Sequence, residues 1–163
     1  MNTESLSFQN MALDSVDRAI VDALCEDARL SHRQLAQKVG VAQGTITNRL
    51  RKLESEGVIQ GYAPVLNADS VGWSMTVMAG LCIEKGKIMD VQKHISADQR
   101  VFAVYDVTGD WDSMVLARVK NREDLDNLTK TVFTLKGITR SYTHVVLNTV
   151  KAVSYTHLRA HET

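Results

Sequence analysis

Between Asp27 and Glu54 the chain carries six cations, Arg29, Arg33, Lys38, Arg49, Arg51 and Lys52, and no carboxylate. In a protein of formal net charge zero, such segregation suits the phosphates of a duplex, where bound cations release counterions and supply most of the sequence-independent affinity. Thr45 and Asn48 can donate or accept hydrogen bonds at base edges, and Arg49, Arg51 and Lys52 are placed as phosphate anchors. With Arg33, Gln43, Gly44 and Thr47 they form the candidate set for double-stranded DNA. A second constellation is Thr108, Gly109, Asp110, Trp111 and Asp112. Gly109 permits close backbone approach with exposed amides, and aspartates at alternate positions can accept from an ammonium group, so the run suits an amino-acid-like effector. The competing reading is a hairpin turn whose acids merely start a strand. Asp106, Asp110 and Asp112 also have hard-cation chemistry, but acids clustered at a turn read as solvated, and His32, His94 and His144 are scattered, so no metal or cofactor is expected.

These residues need elements to hold them. Leu13, Val16, Ile20, Ala23 and Leu24 recur at spacings of three and four, which predicts a first helix behind an Asp14 cap. Ser31 and Gln34 have the capping-box spacing and open a second helix that Gly40 ends. A third runs from Gln43 to Glu56 and is closed by Gly57. Its buried stripe is Ile46, Leu50 and Leu53, and at a hundred degrees per residue Gly44, Thr45, Asn48, Arg51, Lys52 and Ser55 fall outward. A helix-turn-helix with this third helix in the major groove follows.

After Gly61 the pattern changes from helical to alternating, which argues for two domains. Ser74 to Ile83 alternates as a strand, Gly86 to Ile95 is a helix, and Val101 to Thr108 and Ser113 to Lys120 are strands joined by the Gly109 to Asp112 loop. Asn121 caps a helix that faces Leu125, Leu128 and Val132 inward, and Ile138 to Val150 is a closing strand. The expected fold class is α+β: an N-terminal winged helix-turn-helix domain, then a ferredoxin-like βαββαβ domain. Boundaries fall at 1–12 (flexible start), 13–61 (DNA-binding), 62–72 (linker, with Pro64), 73–151 (effector and oligomerisation) and 152–163 (tail). Phe102 and Val104 alternate with Val101, Ala103 and Tyr105, and Val115 and Ala117 with Met114 and Leu116. Both sheet faces are therefore apolar, and a homodimer or higher homo-oligomer would cover the second.

The sequence from Leu13 to Lys151 resembles the Lrp/AsnC, or feast/famine, regulators. The resemblance rests on the LD-x-x-D opening at Leu13, ED-x-R at Glu26, R-x-x-x-LE-x-EGVI-x-GY from Arg49 to Tyr62, and TGD-x-D at Thr108. It implies a transcriptional regulator that dimerises through its second domain and forms larger assemblies. It also implies an effector pocket between dimers, to which the Thr108 loop and last-strand hydroxyls contribute; Ser141 and Thr143 are the matching positions. Ala42 departs from the family pattern, standing where a serine usually caps the recognition helix, a loss of about 1 kcal/mol.

Two cysteines without CxxC spacing read as reduced thiols. The polar start has no signal-peptide core and no stretch is long and apolar enough to span a bilayer, so a cytoplasmic protein without a membrane partner is expected. The run from Val153 to Thr163 resembles the translation of a sequencing adaptor and is set aside from fold reasoning. Two other classes share parts of this pattern. Sirohaem decarboxylases resemble the two-domain layout but would need basic and histidine residues in the second domain, which has only His94 and His144. An amino-acid-sensing module would instead use its helix-turn-helix as a protein-interaction surface, and steep salt dependence of duplex binding separates a DNA reader from it.

Overall fold

The computed structural model describes residues 13–152, so the readings of 1–12 and, Ala152 apart, of 152–163 lie outside the described residues. The chain divides into two compact units, one ending at Pro64 and the other spanning Val65–Val150. In the first, α1 (Ser15–Glu26) opens with a reciprocal cap in which the Asp17 N–H donates to the Asp14 carboxylate and the Asp14 N–H to that of Asp17. Helix α2 (His32–Val39) opens with the Ser31 and Gln34 box and ends at Gly40, whose φ of 81° would strain any side-chain-bearing residue. Helix α3 (Gln43–Ser55) begins at Ala42 with no side-chain cap. Ile20, Ala23, Leu35, Ala36, Ile46, Leu50 and Leu53 form the buried core, the apolar stripes of all three helices. Beyond α3, the Ile59 N–H donates to the Leu53 carbonyl and its side chain packs on this core. The stretch that would form a wing is a turn followed by irregular chain, and no strand occurs in this unit among the described residues.

The second unit follows the βαββαβ order: β1 (Met75–Ile83), α4 (Ile88–Ser96), β2 (Val101–Asp106), β3 (Ser113–Val119), α5 (Arg122–Thr131) and β4 (Ile138–Val145). The sheet order is β2-β3-β1-β4, antiparallel throughout. Alternation along β1 sends Val77, Ala79, Leu81 and Ile83 inward, where they meet Val91 and Ile95 of α4, Leu128 of α5, and Val132 and Phe133 just beyond it. Asn121 caps α5 by accepting from the Asp124 N–H. The 62–72 stretch holds a 3-10 turn, Asp69–Val71, ended by Gly72.

Two strands depart from the sequence pattern. In β2 the register shifts between Val101 and Ala103, pairing Val101 with Ala117 and Val104 with Val115. This bulge turns both valines to the helix side and leaves Ala103 and Tyr105, opposite Leu116 and Met114, on the open face, so simple alternation grouped them wrongly. The closing strand ends at Val145 rather than Val150: after the Val146 N–H bonds the Thr76 carbonyl, β1 offers no further partner, and Leu147 and Val150 lie exposed.

The open face carries Met78, Phe102, Tyr105, Met114, Leu116 and Tyr142. At its centre the Trp111 ring lies flat against the backbone of Gly80, where a Cβ would fall 2.6 Å from the indole. The Arg140 guanidinium sits 4.8 Å from the centroid of the same ring, with Tyr142 beside it.

Candidate functional site

Burial of Ile46, Leu50 and Leu53 fixes the rotation of α3 and leaves Gly44, Asn48, Arg51 and Ser55 as an exposed stripe, with Gln43 and Lys52 exposed beside it. Arg33 is exposed on α2, while Thr45 and Thr47 are half-buried. The six cations divide into two kinds. Arg29 pairs with Asp27, Lys38 with Glu26, and Arg49 with both Asp14 and Asp17. Arg33, Arg51 and Lys52 have no carboxylate partner among the described residues.

Arg49, expected as a phosphate anchor, is engaged within the chain by two carboxylates. Asp17 is only 4% exposed and needs a counter-charge, and the Arg49 guanidinium reaching back from α3 supplies it at 3.2 Å. Hydrogen bonding to Asp14 and the charge of Asp17 raise the Arg49 pKa, while the Asp17 N–H and then Arg49 lower that of Asp14. The pairing ties α1 to α3 and offsets that charge with two carboxylates.

Thr47 also differs from a free base reader. Its hydroxyl donates to the Gln43 carbonyl at 3.1 Å and lies 3.0 Å from Nδ1 of His32, the first residue of α2. Sequence reasoning passed over His32 because its partner lies fifteen positions away on another helix. Only the packing of α2 on α3 reveals the pair.

In the second unit the chain from Val107 to Asp112 closes with the Val107 N–H donating to the Asp112 carbonyl. Thr108, Gly109 and Asp110 are exposed, and Gly109 takes φ 108° with open space where a Cβ would stand. Asp112 is committed to the sheet: its N–H donates to the Leu81 carbonyl and its carboxylate accepts from the Ile83 N–H at 2.7 Å. It extends the β1 ladder past the last β3 pair and has less capacity left for a ligand than Asp110. Thr143 and Ser141 stand opposite Ala79 and Leu81 on β4, the other flank of β1, and so share the helix-side face. Trp111 covers Gly80 on the opposite face, so one chain does not gather loop and strand hydroxyls on a single surface. No group of three or more potential metal ligands occurs among the described residues, and Asp106, Asp110 and Asp112 do not converge.

Residues 13–60 match the winged helix-turn-helix DNA-binding family, and residues 76–155 match the Lrp/AsnC ligand binding domain. An uncharacterised HTH-type transcriptional regulator of Pyrococcus abyssi is 43% identical over 139 residues, covering 85% of this chain and 95% of its own length. Among solved structures, AsnC of Escherichia coli superposes with a TM-score of 0.82 at 21% identity, over 90% of this chain and 99% of its own. A transcriptional regulator of Neisseria meningitidis in complex with L-Met superposes with a TM-score of 0.80 at 23% identity, over 88% and 95%. No helix among the described residues is long and apolar enough to cross a membrane.

Proposed function

The chain belongs to the Lrp/AsnC family of transcriptional regulators, and from that membership we propose how its residues divide the work of reading DNA and sensing a small molecule. Helix α3 enters the major groove of double-stranded DNA with Gln43, Gly44, Thr45 and Asn48 toward the bases. Arg33, Arg51 and Lys52 neutralise phosphates. The observation that carries this is the coincidence, on one exposed stripe, of an amide able to pair bidentately with adenine and cations with no internal partner. Selection of a duplex from fragmented genomic DNA, followed by competition against random duplex over a salt series, tests it. A selected site should be preferred, with affinity falling steeply as salt rises.

The regulator acts as a homodimer or larger assembly through the open face of its sheet, and its two recognition helices read half-sites about 34 Å apart on a palindromic site. The effector is amino-acid-like and meets the Thr108, Gly109 and Asp110 loop, completed by Ser141 and Thr143 across an interface between copies. An amino-acid complex in a regulator of the same fold supports the ligand class. Calorimetry of the native protein against the standard amino acids identifies the binder. Asp110→Ala and Gly109→Val should then abolish its effect in gel shifts while leaving ligand-free DNA binding intact.

A further inference from the structure

His32 and Thr47 form a hydrogen-bonded pair between α2 and the recognition helix, with Nδ1 and Oγ1 3.0 Å apart. The threonine hydroxyl has one proton, and its bond to the Gln43 carbonyl uses it. The imidazole is then the donor through Nδ1, which leaves Nε2 of an exposed ring as the group presented outward. Neutral, Nε2 is an acceptor and cannot bond a phosphate oxygen; protonated, it is a charged donor held in place by Thr47.

The surroundings favour an anion from outside. Arg33 follows on α2, and Arg51 lies one turn beyond Thr47 on α3. In the turn before α2 Asp27 is taken by Arg29, and on α1 Glu26 is paired with Lys38 and both Asp14 and Asp17 with Arg49. No carboxylate among the described residues pairs with His32. In a helix-turn-helix the helix before the recognition helix crosses the sugar-phosphate backbone rather than the bases.

We propose that His32 is a phosphate-contacting residue of the DNA interface, its imidazolium bridging Thr47 and a backbone phosphate, so that binding favours the protonated ring. Thr47 is then a positioning residue. The inference rests on the placement of α3 in the groove given above. Where the free ring is neutral, a proton from solvent adds to Nε2 and is held between ring and phosphate in the complex.

The test uses the full-length protein, a selected duplex and a random duplex, at fixed salt and at about pH 6 and pH 8, either side of the usual histidine range. Wild-type affinity should fall roughly tenfold from the lower to the higher pH on both duplexes, the scale of one charge-assisted hydrogen bond. His32→Gln should remove most of that fall and, at about pH 6, lower the salt slope by about one. His32→Lys, a permanent cation, should carry the low-pH affinity up to pH 8. Thr47→Val should weaken the low-pH gain without abolishing it. Equal pH dependence in wild type and His32→Gln overturns the proposal, as does a fall confined to the selected duplex, which would make His32 a base reader. A wild-type protein that binds neither duplex overturns the groove placement as well, so the two failures are distinct.

Discussion

Each unit holds one arginine between two carboxylates, Arg49 in the first and Arg100 in the second, and they differ in what stands beside it. In the first, pairing is partial: Arg29, Lys38 and Arg49 each meet a carboxylate, and Arg33, Arg51 and Lys52 meet none among the described residues. In the second, Arg100 is enclosed and its guanidinium donates to Asp98, Asp124 and Asn127, fastening the turn before β2 to α5. The contrast teaches that residue type does not separate frame from function. Arg49 and Arg51 sit two positions apart on one helix, and only their partners distinguish them.

The largest test of this division is structural. Phe133→Ala empties a fully enclosed site in the second core and should cost about 3–5 kcal/mol. Both tryptophans, Trp73 and Trp111, lie in that unit, so fluorescence during urea unfolding follows it selectively. Far-UV dichroism adds the helices of the first unit, whose transition should stay where it was. A shared shift of both signals would break the comparison.

Next, Arg49→Ala should cost about 1–3 kcal/mol because it strands the buried Asp17 carboxylate. Arg51→Ala should leave stability within about 0.5 kcal/mol and instead lower the salt slope of DNA binding by about one. Denaturant midpoints and salt titrations on both variants check the pair, and a reversed result would exchange their roles.

Of comparable or smaller size, Asn48→Ala should cost roughly 1–3 kcal/mol on a selected site and little on random duplex. Lys52→Ala should weaken both alike. Competition gel shifts separate them. In the second unit, Asp112→Ala should cost about 1 kcal/mol in thermal unfolding by releasing the Ile83 N–H. Asp110→Ala should cost nothing measurable there while abolishing ligand response.

The smallest expected effect is on pH. Hydrogen bonds from Arg100 hold the Asp98 carboxyl below its ordinary 3.8. Such a group binds fewer protons folded than unfolded, so its contribution is complete above that ordinary value and is lost as pH falls through the lowered one. Asp98→Asn should flatten the acid limb of the second unit's stability curve and leave neutral pH dependence unchanged.

What the sequence made legible was what short-range rules control. The caps at Asp14, Ser31 and Asn121, the turn at Gly40, and the alternation of β1 depend on neighbours a few residues away, and each stands as read. The β2 bulge, the early end of β4, the Arg49 bridge and the His32 and Thr47 pair depend on what another element places opposite, which spacing along the chain does not encode. Phe133 belongs with these. It follows the end of α5, where helical periodicity no longer applies, yet it is among the most enclosed side chains of its unit. The acids of the Thr108 to Asp112 loop read equally as ligand groups and as turn residues; Asp112 takes the second role in the chain, and the first is proposed for Asp110.

Gly80 and Trp111 have a consequence for how this sequence can change over time. With a Cβ at position 80 falling 2.6 Å from the indole, any larger residue there evicts the ring from its seat and with it the Arg140 and Tyr142 contacts. The two positions therefore behave as one heritable character. A lineage that gains a side chain at 80 must give up the flat aromatic at 111 or re-aim it, and one that keeps tryptophan at 111 keeps glycine at 80. Divergence across this family should show the two residues exchanged together, thirty-one positions apart in the chain and in direct contact in the fold.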